Sequence, residues 1–156
     1  MSLEKVKNYF KQFGIENKIH VLDVSSATVE LASKALGCEE SKIAKSLSFM
    51  VFEKPIIVVV AGNKKINSSK FKQQFGAKAK MLSFEEVEHL IGHKVGGVCP
   101  FAIKEGVEVY LDISLKEHKS VFPACGSSNS SIELTISQLE KYSNFKSWVD
   151  VCQEII

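Results

Sequence analysis

Apolar positions along the first half of the chain change period several times, and each change predicts an element. Leu3, Val6, Phe10 and Phe13 recur at helical spacing, and Gly14 ends that run. Residues 17–24 predict a strand. Thr28 then offers a hydroxyl N-cap to a helix carrying Val29, Ala32 and Leu36 on one face, closed by Gly37. Residues 41–45 form a short helical turn in this reading. From Ser46 the period becomes two through Leu47, Phe49 and Val51, the pattern of a strand with one buried face. After Pro55 the β-branched run 56–61 predicts a central strand buried on both faces, with Gly62-Asn63 turning the chain. Residues 68–75 predict a basic helix ended by Gly76. Ser83 and Glu86 have capping-box spacing, which opens a helix to Ile91 before Gly92 stops it.

The second half predicts short strands at 107–111, 120–124, 131–135 and 148–152, with a helix at 137–142. Their close spacing and turn-like connections favour antiparallel pairing there. The expected class is α+β, with a curved, mostly antiparallel mixed sheet. No linker, repeat or low-complexity stretch divides the chain, so residues 1–156 read as a single domain.

Composition narrows the function classes. At 156 residues, 45% hydrophobic and 24% charged, the chain can bury a core without staples. A net charge of +2 argues against binding nucleic acid by bulk charge, but permits a local patch. Cys38, Cys99, Cys125 and Cys152 form no Cys-x-x-Cys pair, which favours a reducing, cytoplasmic location over a disulfide framework. The amphipathic N-terminus is unlike a signal peptide. The apolar run 56–61 is far short of the ~20 residues a membrane span needs, so no membrane association is expected.

Two segments carry candidate chemistry. Val95-Gly96-Gly97-Val98-Cys99-Pro100-Phe101 combines glycines, which let main-chain N–H groups approach a ligand, with a proline that pins the exit. Successive N–H groups in such a turn can form an oxyanion or anion nest, although a plain helix-to-strand connection has the same composition. Lys45 lies between the small residues Ala44 and Ser46 at the head of a strand, where a partly desolvated ammonium can face an anion or a polarised carbonyl. Most lysines are simply solvated.

Other features are weaker. Cys99 could be a nucleophile with His93 or His118 as base, but no nucleophile elbow surrounds it and a small inert thiol explains it as well. His89 and His93 have a metal-binding spacing, but no third ligand accompanies them, and no metal or cofactor is expected. Lys64, Lys65, Lys70, Lys72, Lys78 and Lys80 make a locally basic stretch, either a solvated face or a phosphate-contacting patch. Residues 126–131 form a polar loop that can line a site mouth.

These residues together resemble the YbaK-like aminoacyl-tRNA deacylases, relatives of the editing domain of bacterial prolyl-tRNA synthetases. The likeness runs through Thr28-Val29-Glu30-Leu31-Ala32 with Leu36-Gly37, Ile43-Ala44-Lys45-Ser46-Leu47, Val58-Val59-Val60-Ala61-Gly62-Asn63, Gly96-Gly97-Val98-Cys99-Pro100-Phe101, Val109-Tyr110-Leu111-Asp112 and the Gly126–Leu134 stretch. It implies a barrel-like sheet surrounded by helices. It also implies hydrolysis of the ester joining a wrong amino acid to the 3′ acceptor end of tRNA, most often cysteine or alanine on tRNA for proline. The alternative is a non-catalytic module of the same fold that binds nucleotides, tRNA or a synthetase. Lys45, Gly96 and Gly97 take the catalytic places. Thr28, Ser46, Val98, Cys99, Pro100, Phe101, Asp112 and Gly126 take substrate-binding places. Aminoacyl-tRNA is the implied partner, with prolyl-tRNA synthetase a second. Position 99 is cysteine where the family often has serine or another small residue, which bears on the amino acid removed.

Overall fold

The computed structural model describes residues 2–155. Among the described residues the α-helices are α1 (Ser2–Lys11), α2 (Val29–Leu36), α3 (Ser68–Phe75), α4 (Phe84–Glu86) and α5 (Ile136–Ser143). Ten strands are β1 (His20–Val21), β2 (Ile43–Val51), β3 (Lys54–Ala61), β4 (Lys64–Ile66), β5 (Glu108–Asp112), β6 (Ser120–Pro123), β7 (Ser130–Ser131), β8 (Leu134–Thr135), β9 (Ser147–Val149) and β10 (Cys152–Glu154).

The local signals for helix ends act as expected. Thr28 Oγ1 accepts from Leu31 N–H at 3.2 Å, and Gly37 closes α2. Ser83 and Glu86 form a reciprocal capping box at the start of α4, which continues as one wide π turn over Val87–Ile91 before Gly92.

A curled, half-barrel sheet of six strands forms the frame, in the order β8-β6-β2-β3-β5-β9. The β2–β3 hairpin is its spine, pairing antiparallel from Ala44↔Ala61 to Val51↔Lys54. Residues 56–61 of β3 are buried on both faces because each face has its own cover. Ile57 and Val59 face a core with Val6, Phe10, Phe101, Leu111 and Leu139, under α1 and α5. Val58 and Val60 face a smaller cluster with Phe49 and Phe71, under α3.

Four of the seven ladders among the described residues are antiparallel. Pairing in the second half departs from the expectation of adjacent hairpins. Strand β5 pairs in parallel with both β3 and β9, and β6 pairs in parallel with β2. Helix α5 provides the crossover that parallel pairing of β5 with β9 requires.

Three predicted strands are shorter or broken. Residues 17–24 begin as a 3₁₀ turn, Glu16–Lys18, and leave only His20–Val21 as strand. Residues 131–135 split into β7 and β8, which pair with different partners. Residues 148–152 split into β9 on the main sheet and β10 paired with β4. The predicted turn 41–45 covers Glu40–Lys42, so Lys45 is already inside β2.

Candidate functional site

The site arises from a gap in the sheet. Strand β2 is paired to β3 along one edge, but its other edge has partners only near its ends. Strand β6 reaches Ile43 and Ala44 and stops at Pro123, whose ring nitrogen has no proton to continue a ladder. Farther along, residues 80–82 take up the edge through Leu82 N–H to Ser48 O at 3.1 Å and Met50 N–H to Lys80 O at 2.9 Å. Between these contacts lies a cavity of about 350 Å³. Its floor is the β2 edge from Ile43 to Ser48, and Thr28 and Val29 of α2 bound one side. Gly96 and Val98, Ser130 and Ser131, and the rim residues Met81 and Phe84 complete it.

Four sequence-selected residues besides Lys45 thus meet at one cavity: Thr28, Ser46, Gly96 and Val98. Gly96 has φ 97°, a left-handed conformation that an L side chain adopts with strain. Thr28 also keeps its N-capping role, so its hydroxyl is partly committed to α2.

Lys45 lines the cavity, and its ammonium is held on two main-chain carbonyls. Nζ donates to Lys64 O at 2.5 Å and lies 3.5 Å from Gly62 O. Burial lowers its pKa below the ordinary lysine value, opposed by Cys152 and Glu40 nearby. An ammonium has three donors, so these two carbonyls leave one over. Apart from Lys45 the lining is aliphatic, aromatic or hydroxylic; among the described residues no carboxylate, imidazole or thiol lines this cavity.

Gly97 and Gly126 lie elsewhere. They line a second groove with Ser2, Lys5, Lys94 and Ser127, separated from the cavity by the Val95–Gly97 segment. A Cβ on Gly97 would sit 2.6 Å from Gly126 C and Ser127 N, so glycine is needed there for main chain to pass main chain. Its N–H already donates to Lys94 O at 3.0 Å, which removes it as a free oxyanion donor.

Cys99, Pro100, Phe101 and Asp112 are not brought to the cavity. Cys99 and Phe101 are fully buried in the core. Cys99 Sγ is 3.5 Å from His93 Nε2, which is bonded to Phe101 O at 2.7 Å. Burial pushes the Cys99 thiol up to about 12 and lowers the His93 pKa, so neither group ionises readily at neutral pH. The pair is core packing rather than a nucleophile and its base, and His118 is engaged elsewhere with Ser41 Oγ at 2.7 Å. The Asp112 carboxylate caps the following turn through Ser114 N–H at 3.0 Å and accepts from Val151 N–H at 2.9 Å. Two lysines of the basic stretch are paired, Lys64 with Glu154 and Lys70 with Asp150.

Ser26, Ser48, Leu82 and Val87 also line the cavity, and no sequence pattern marks them. The signal available was the capping box at Ser83, which fixes where the chain returns to the β2 edge.

Comparison with known proteins matches residues 23–142 to the aminoacyl-tRNA editing domain. The chain belongs to this family. That match spans α2, β2, the Gly96 segment and the strands after it. The uncharacterized protein YwhH of Bacillus subtilis is 50% identical over 155 residues, covering 99% of both chains. Proline–tRNA ligase of Limosilactobacillus fermentum is 33% identical over 125 residues, covering 74% of this chain but only 22% of the ligase. A solved structure reported as a proposed trans-editing enzyme for prolyl-tRNA synthetase superposes with TM-score 0.87 at 25% identity, covering 97% of each chain. The half-barrel is therefore the editing-domain fold. No helix among the described residues is long and apolar enough to cross a membrane.

Proposed function

We propose that this editing domain is a trans-editing hydrolase that deacylates mischarged tRNA, with cysteinyl- or alanyl-tRNA for proline as the substrate. The observation that carries this reading is the single cavity that gathers Lys45, Ser46 and Gly96 at the open edge of β2. Its volume of about 350 Å³ suits a small acyl group and part of a ribose, and its aliphatic walls favour an uncharged side chain.

The chemistry follows from what the cavity contains. An aminoacyl ester is already activated, so positioning and electrostatics can supply the acceleration. Lys45 offers its free donor to the ester or to the terminal phosphate, while a water, alone or activated by the neighbouring ribose hydroxyl, adds to the carbonyl. The bond from the carbonyl carbon to the ribose oxygen then breaks, and the water's proton passes to that leaving oxygen. In a cysteinyl ester the substrate thiol can attack the carbonyl instead, closing a thiolactone and releasing the ribose hydroxyl, which takes up the thiol proton. Aminoacyl-tRNA is then the partner, with prolyl-tRNA synthetase a candidate second one, in the cytoplasm.

The test is a panel of alanyl-, cysteinyl-, seryl- and threonyl-tRNAs incubated with the purified chain. Loss of one or more esters well above the buffer rate is expected. No loss on any tRNA would overturn the hydrolase reading. The lack of an acid or base in the lining other than Lys45 favours, as the second reading, a module that grips an aminoacylated end without turnover.

A further inference from the structure

The cavity occupies the place of a missing strand, and β2 presents it with an unused main-chain pairing position. Main-chain groups along a strand point alternately to its two sides. Ile43 O accepts from Gly62 N–H at 2.8 Å, on the β3 side. Ser48 O and Met50 N–H are used on the opposite side, by residues 80–82. Odd-numbered residues of β2 therefore face β3, and even-numbered ones face outward. Ser46 lies between the last β6 partner, Ala44↔Pro123, and the first contact of the 80–82 segment. Its N–H and C=O thus point into the gap that forms the cavity. Its hydroxyl Oγ is also buried, with no protein partner. Buried polar groups left unpaired cost about 1–3 kcal/mol each, which marks this residue as built for a ligand.

We propose that Ser46 receives the aminoacyl group through its main chain. Its N–H donates to the carbonyl oxygen of the acyl group, and its C=O accepts from the α-ammonium. Two residues in a hydrogen-bonded antiparallel pair exchange the same two bonds, so one α-amino acid fits the gap as a single residue of an absent strand. The N–H lies where negative charge develops when a nucleophile adds to the carbonyl. This main-chain grip recognises an α-aminoacyl group whatever its side chain, and leaves side-chain selection to the aliphatic walls. It rests on the proposal that the cavity takes an aminoacylated 3′ end.

The experiment titrates the ¹⁵N-labelled full chain with 3′-deoxy-3′-(L-alanylamino)adenosine, whose amide is not hydrolysed. The Ser46 amide proton is expected to show the largest downfield shift of any main-chain amide at saturation. The propionyl analogue, which has no donor in place of the α-ammonium, should bind about tenfold more weakly, as loss of one charge-assisted hydrogen bond requires. A silent Ser46 amide, equal affinity for the two analogues, or no saturable shift overturns the proposal. Analogue binding at Ser46 without turnover of any aminoacyl-tRNA would leave it standing while removing the hydrolase. Ester turnover with a silent Ser46 amide would do the reverse.

Discussion

Replacing Lys45 by methionine separates a positioning cation from a structural anchor. The side chain keeps nearly its length but loses the ammonium that donates to Lys64 O at 2.5 Å and lies 3.5 Å from Gly62 O. Only the first contact is close enough for a full hydrogen bond, and such a charge-assisted bond contributes about 1.5–3 kcal/mol. Against this, the variant no longer holds a charge in a partly desolvated place, the same burial that lowers the lysine pKa. The two effects oppose each other, so the net stability loss should not exceed about 2 kcal/mol, or about 4–8 °C in Tm for a chain of this size. The effect on chemistry is larger. Removing one donor aimed at developing charge lowers turnover by about 10²–10³. Deacylation rates at 25 °C, with Tm from circular dichroism on the same preparations, give both numbers. Turnover within a few-fold of wild type in a folded Lys45→Met protein would refute the assigned role. A Tm loss well beyond that range would show instead that the lysine chiefly holds β4 to β2.

Three further outcomes follow from the same geometry. Cys99→Ala should retain most of the deacylation rate, and iodoacetamide should leave Cys99 unmodified in the native chain by mass spectrometry, because the thiol is buried and held near pKa 12; loss of all activity would restore it as a nucleophile. His93 is buried neutral with its pKa below the usual 6.5, so the unfolded chain takes up its proton first as pH falls. Stability should therefore be complete above about pH 6.5 and decline below it, by up to about 1.4 kcal/mol per pH unit, and denaturant titrations of His93→Gln should show a flatter acid limb. Gly97→Ala places a Cβ 2.6 Å from Gly126 C and Ser127 N, an overpacking that should lower stability by about 1–3 kcal/mol and Tm by about 2–12 °C; an unchanged Tm in a calorimetric scan would show that the two segments separate easily.

The sequence alone determined the parts of this protein that depend on neighbouring residues. Thr28, the Ser83–Glu86 box and the glycines Gly37, Gly76 and Gly92 set helix ends, because a cap needs only partners three or four positions away. The unbroken apolar run 56–61 marked the central strand, since burial on both faces leaves no polar position in it. Lys45 and Gly96 stood out because each is an unusual residue for its local setting, a cation on an apolar-alternating strand and one of two glycines before a proline.

What only the tertiary structure decided was which of these residues share a space. Gly96 and Gly97 are adjacent in sequence, yet one lines the cavity and the other a separate groove, because their own segment of chain forms the dividing wall. Cys99 and Phe101 continue the same motif but turn into the core. The parallel pairing of β5 with β3 and β9 joins segments far apart in the chain, which spacing between neighbouring strands cannot reveal. The cavity itself exists because β6 ends at Pro123 before residues 80–82 reach the same edge of β2. A missing neighbour leaves no pattern in the strand that lacks it, so Ser46 reads as one small polar residue until the sheet is assembled around it.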